Sequence, residues 1–148
     1  MKVSSLKSVF IALIGLVFLI SCGKDDTPQD VIVMDDTPFI LEHGALPAPS
    51  LPSDSQLTIQ GVKLGRMLFY EKLLSRDGSQ ACADCHRQQD GFSDTSRFSI
   101  GVELMPGKRQ AMPVFNMAWH TNEFFWDGRA HLLRDQALKP IQDPLEMN

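Results

Sequence analysis

Cys82, Cys85 and His86 stand together in the run Cys82-Ala83-Asp84-Cys85-His86. Thiols three positions apart share one face of a short helix. From there each can add to one vinyl group of a haem. The adjoining imidazole can then turn under the porphyrin and bind the iron, which is the attachment pattern of a c-type haem. Zinc is the rival reading, because two thiolates and an imidazole are also zinc ligands. It requires a fourth donor, for which His43, His120 and His131 remain. A thioredoxin-type dithiol is weaker, since no strand–helix–strand pattern surrounds the motif.

Several elements must position these groups. Thr58 can cap a helix reaching to about Glu71, with Val62, Leu64, Leu68 and Phe69 as an apolar core face. Gly61 and Gly65, about one turn apart, would allow a close neighbour. Ser75-Arg76-Asp77-Gly78 reads as a turn and Ser79 as the cap of the haem helix. From Gly91 to Pro113 the chain reads as a loop long enough to wrap a cofactor edge, punctuated by Gly101, Pro106 and Gly107. Phe115, Trp119, Phe124, Phe125 and Trp126 follow, aromatics whose commonest role is core packing. A turn at 126–129 leads into a helix over about 130–138 that Pro140 is expected to stop. The sequence then closes on Pro144-Leu145-Glu146-Met147-Asn148.

The N-terminus reads as an export signal over residues 1–21. Lys2 and Lys7 precede an apolar stretch from Val9 to Ile20, too short to cross a bilayer. Leu19-Ile20-Ser21-Cys22 resembles a lipoprotein cleavage box, which makes Cys22 the expected site of lipidation and membrane tethering. Residues 22–56 are expected to form an extended, mobile tether, because five prolines between Pro28 and Pro52 oppose regular helix. His43 within it reads as an ordinary surface histidine. The 148 residues suffice for one domain, residues 57–148 by this division. A formal net charge of −4 without a basic run argues against nucleic acid as a partner. These features alone give an exported, helical, single-haem domain, and leave electron transfer, peroxide chemistry and ligand sensing open.

Several blocks together resemble the bacterial dihaem cytochrome c peroxidase family, including its relatives that oxidise tryptophan in a partner protein. They are Leu64-Gly65-Arg66-Met67-Leu68-Phe69-Tyr70, Leu74-Ser75-Arg76-Asp77-Gly78, Phe92-Ser93-Asp94 and the run from Arg109 to Asn116. After these come Phe125-Trp126-Asp127-Gly128-Arg129-Ala130, Gln136-Ala137-Leu138, and Pro140-Ile141 through Glu146-Met147. The resemblance implies an all-α, cytochrome c-like fold, the first and peroxidatic domain of two, and so a truncated or partial member. It implies one covalent haem held by Cys82 and Cys85, with His86 as proximal ligand of the iron. It implies Glu146 as the distal acid, Trp126 as an electron relay between haems, and Arg129 as a partner for a propionate or for Asp127. Its partners are then hydrogen peroxide and a small donor such as a cytochrome c, on the periplasmic side of a Gram-negative-type bacterium.

Two positions depart from the family pattern. Where many members have a haem-ligating histidine after Ile-Gly, this chain has Val102 following Ile100-Gly101, so the distal side is expected to be open without reductive activation. Gln110 replaces the asparagine that follows the arginine in members that bind calcium, so calcium is not expected. The main alternative function is electron transfer by a mono-haem cytochrome lacking peroxidase activity, with Met105, Met112, Met117 or His120 as sixth ligand. Oxidation of a protein side chain, as in the tryptophan-modifying relatives, is a third reading. An inert fragment without haem is a fourth.

Overall fold

The computed structural model describes residues 35–148, so the expected signal sequence and the expected lipidation site Cys22 lie outside the described residues. Among the described residues three α-helices are joined by long irregular segments: α1 (Ile59–Phe69), α2 (Cys82–Cys85) and α3 (Leu133–Gln142). Single 3₁₀ turns occur at Lys72–Leu74, Gln88–Asp90, Val102–Leu104 and Met117–Trp119. Among the described residues β structure is confined to isolated antiparallel bridges, such as Pro38 to Thr58 and Arg87 to Ser93. The domain is therefore helical. Among the described residues no helix is long and apolar enough to cross a membrane.

Helix α1 starts as its sequence predicts, with the Thr58 hydroxyl accepting from Gly61 N–H at 3.0 Å. Its apolar face divides differently from the expected core face. Val62 and Phe69 are half-buried, whereas Leu64 and Leu68 are 55% and 40% exposed. The periodicity required a helix but could not say what would cover each apolar residue. Gly65 likewise has open space around it, and the nearest neighbour of Gly61 is the capping hydroxyl itself. Phe69 does position the site: its ring meets that of Phe92 edge-on at 6.2 Å.

Two local expectations change. Ser79 does not cap α2; its hydroxyl and N–H are both taken by Asp77 Oδ1 at 2.6 and 2.9 Å. The Asp84 carboxylate instead reaches back to Ala81 N–H at 2.8 Å. Nor does Pro140 stop the last helix, which runs on to Gln142 with the proline inside it. The proline ring removes one donor yet keeps a φ that suits a helix. The backbone then closes over it, with the Pro140 carbonyl accepting from Asp143 and Met147 N–H at 3.3 and 3.1 Å.

The described part of the proline-rich segment, 35–56, contains no helix and is anchored to the domain. Phe39 N–H donates to Leu57 O at 2.9 Å, Trp119 Nε1–H to Pro47 O at 2.7 Å, and Arg134 pairs with Asp54 at 2.8 Å. His43, half-buried, has Nδ1 2.6 Å from Leu46 O. Among the described residues the buried apolar side chains are Ala81, Val102, Phe124, Ala130 and Met147.

Candidate functional site

The motif sits on the shortest helix. His86 caps the C-terminus of α2, with its N–H donating to Cys82 O at 2.9 Å, and its φ and ψ of −116° and 68° turn the chain out of the helix. A tight reversal follows. Gly91 and Phe92 both adopt left-handed backbone, at φ 68° and 56°, and Phe92 N–H returns to Arg87 O at 2.8 Å. The Arg87 guanidinium fastens this reversal to Asp90 at 2.8 Å and to the buried Asp94 at 2.9 Å. The result places Phe92 O 3.2 Å from His86 Nδ1. A proton held at Nδ1 by that carbonyl leaves Nε2 as the nitrogen that can bind a metal. Burial pushes the His86 pKa down, which favours the neutral, ligating form.

Both motif thiols are half-buried, and burial pushes both pKa values up, so they stand as thiols at neutral pH. Cys85 and His86 line a cavity of about 340 Å³. Cys82, on the same helix, lies outside its immediate lining. Much of the wall is apolar, with Met112, Val114, Phe124, Phe125 and Leu145. Its size and lining are those of a small-molecule or cofactor site. One motif thiol and the imidazole in the wall, the second thiol on the same short helix, and apolar walls suit a c-type haem. Among the described residues no three His, Cys, Asp or Glu side chains converge as a metal site, which leaves the zinc reading without its ligand set.

Glu146, Trp126 and Arg129 line the same cavity as Cys85 and His86. Glu146 is half-buried, and its pKa is raised chiefly by desolvation, secondarily by the nearby Asp143, against a lowering by Arg129. It is not a solvated side chain at a frayed end. The segment carrying it is pinned: Val102 N–H donates to Glu146 O at 2.9 Å and Arg76 N–H to Met147 O at 2.9 Å. Trp126 is 61% exposed rather than core, and its Nε1–H donates to Gln110 O at 3.0 Å. Phe115 is exposed too, while Phe124 is buried.

Arg129 is 2.9 Å from Asp127 and lies over the Phe125 ring at 3.5 Å. Asp127 also holds Arg109 at 2.9 Å, and both guanidiniums line the cavity. Sequence reasoning paired Arg129 with Asp127 but missed Arg109. Nothing in the spacing between residues 109 and 127 signals that they meet. Of the candidate sixth ligands, Met112, Met117 and His120 line the cavity and Met105 does not. Val102 is fully buried against the Glu146 backbone and outside the cavity lining.

The family model for di-haem cytochrome c peroxidase matches residues 59–148. This chain belongs to that family. It is 45% identical over 97 residues to the methylamine utilization protein MauG of Methylorubrum extorquens, a match covering 66% of this chain and 27% of the relative. It is 39% identical over 106 residues to the cytochrome c peroxidase Ccp of Escherichia coli, covering 72% of this chain and 23% of that protein. The crystal structure of a MauG-like protein associated with microbial copper homeostasis superposes with a TM-score of 0.64 at 33% identity, covering 70% of this chain and 30% of that one. The chain thus spans about a quarter of the length of the curated relatives it matches. Membership makes it part of an oxidoreductase family of haem peroxidases.

Proposed function

We propose that residues 57–148 form a cytochrome c-like peroxidatic domain that reduces hydrogen peroxide to water with electrons from a small cytochrome c-type donor. The observation that carries this reading is the meeting of His86 and Glu146 at one cavity, with the carboxyl in a desolvated position. One haem c, joined through Cys82 and Cys85, would supply the iron that passes the donor's electrons to peroxide. His86, with Nδ1 3.2 Å from Phe92 O, would offer Nε2 to that iron. Glu146 takes the proton from one peroxide oxygen and delivers it to the other, so that water leaves as the bond breaks. Desolvation suits it to both halves of that transfer, because a carboxyl with a raised pKa gives up and regains its proton nearer to neutral pH. Arg129 and Arg109, held by Asp127, present positive charge where the haem carboxylates would lie. Trp126, exposed and indexed by Gln110 O, is the relay residue at the surface.

The test is to load the chain in cells that mature cytochromes and mix it with peroxide. A covalent pigment, a high-spin ferric spectrum and a fast peroxide reaction are expected. A low-spin, six-coordinate resting haem inert to peroxide refutes the reading. That outcome would favour an electron-transfer cytochrome, for which Met112 and Met117 in the cavity wall supply ligands. We further place the chain outside the cytoplasm, tethered by lipid at Cys22, on the strength of its N-terminal sequence. Cys22→Ala should release it from membranes on fractionation.

A further inference from the structure

Gly101 has no room for a side chain. A Cβ there would stand 2.1 Å from Leu145 O, 2.6 Å from Glu146 O and 2.9 Å from Glu146 Cα. All three are backbone atoms, so no rotamer change relieves the overlap. The Gly101 backbone itself is extended, at φ −97° and ψ −158°. Other residues tolerate extended backbone, so here glycine answers a demand for space. Gly78 and Gly91 differ, since each sits at φ 68° with open space around it. Around this contact the two segments are joined in register. Gly101 N–H closes its own turn on Met105 O at 2.9 Å, and Val102, fully buried, donates its N–H to Glu146 O at 2.9 Å. Gly101 and Glu146 both line the cavity that Cys85 and His86 share.

We propose that Gly101 is a positioning residue for Glu146: its bare backbone lets the Leu145–Glu146 segment seat against the 101–102 loop, and that seating holds the carboxyl in the cavity. The catalytic consequence rests on the peroxidatic reading above; the contact itself does not. An alanine at 101 must displace the Leu145–Glu146 backbone by roughly 1 Å, and a misplacement of that size costs on the order of 10²-fold in rate.

The test uses the haem-loaded full chain and compares wild type, Gly101→Ala, Glu146→Gln and the double variant. Rates with peroxide are measured beside an infrared titration of the Glu146 carboxyl, identified by its absence in Glu146→Gln. The charged groups that act on that carboxyl are Asp143 and Arg129. Both are unchanged in Gly101→Ala. The expected result is that Gly101→Ala keeps covalent pigment and loses about 10²-fold in peroxide rate. The double variant should be no slower than the slower single one, and the Glu146 carboxyl should titrate closer to the ordinary 4.5. An unchanged rate and titration in Gly101→Ala, with Glu146→Gln slow, overturns the proposal and leaves the peroxidatic reading standing. If Glu146→Gln is as fast as wild type, the role of the acid falls, and the titration alone decides whether Gly101 positions it. If Gly101→Ala fails to fold, amide exchange in the wild-type protein decides. Slow exchange of the Val102 N–H supports the seated contact, and exchange at the rate of an unprotected amide overturns it.

Discussion

The Phe92 carbonyl oxygen lies 3.2 Å from Nδ1 of His86. This pairing favours the proton on Nδ1 and leaves Nε2 as the nitrogen that can bind a metal. It depends on Gly91 and Phe92 accepting left-handed backbone, and on Arg87 fastening the reversal to Asp90 and Asp94. On the proposed reading, His86→Gly removes the axial donor but leaves both thioether links. The variant should stay coloured on a denaturing gel while its visible spectrum loses the histidine-ligated signature. Added imidazole should restore that signature. Failure of imidazole to do so, in a variant that remains folded, would remove His86 from the iron.

On the proposed reading, the Glu146 carboxyl, raised above 4.5 mainly by burial, should set an alkaline-going limb in the peroxide reaction. As the proton acceptor it must be ionised, so the rate should climb as pH rises through its elevated pKa and then level off. Glu146→Gln should lower the rate by roughly 10²–10⁴ and flatten that limb. The linked stability effect has the opposite sense. The folded chain holds this proton to higher pH than the unfolded chain, so the group's contribution to stability falls as pH climbs from the unfolded value through the folded one. Thermal melts of wild type and Glu146→Gln should therefore draw together toward acid pH and diverge toward neutrality, with the glutamine variant relatively more stable at neutral pH.

Asp127 joins its near neighbour Arg129 to Arg109, which is distant in sequence, each at 2.9 Å. Its pKa is held low, chiefly by the hydrogen bond from Arg129. A depressed carboxyl contributes stability that is present above its unfolded pKa and disappears as pH falls through the folded one. Asp127→Asn should melt slightly lower than wild type at neutral pH and low salt. The gap should shrink in high salt, because all three side chains are partly exposed and their attraction is screened. It should also close on acidification below pH 3.8. Equal melting temperatures at neutral pH and low salt would show that the bridge adds nothing measurable.

Much of the centre was legible because its information is local. The spacing of Cys82, Cys85 and His86 alone suggested a haem, and Thr58 and Gly78 marked a helix start and a turn that the structure contains. Glu146, Trp126 and Arg129 were legible only through resemblance, since each by composition could be an ordinary surface or core residue. The meeting of Arg109 with Asp127 and the closeness of Gly101 to Leu145 were not legible at all. Both join irregular segments far apart in the sequence, where no periodicity reports what faces what. Gly101 in particular looked like loop punctuation, because a glycine needed for space and one needed for its φ are identical in sequence. The proline rule failed at Pro140 because the following carbonyl bonds rebuilt the last turn.

Helicity and burial part company on α1, and that difference is measurable. Val102 is fully buried, whereas Leu64, in the apolar stripe of α1, is 55% exposed. A hydrophobicity pattern ranks the two alike, but the free energy follows the area removed from water and the cavity left behind. Val102→Ala should destabilise the haem-loaded chain by about 1–3 kcal/mol, lowering its melting temperature by several degrees. Leu64→Ala removes a larger side chain yet should change stability by no more than about 0.5 kcal/mol, because most of that surface already meets water. The order is the decisive quantity: a greater loss from Leu64→Ala than from Val102→Ala would mean that the α1 stripe is covered in solution, and that the core reading of this helix was right after all.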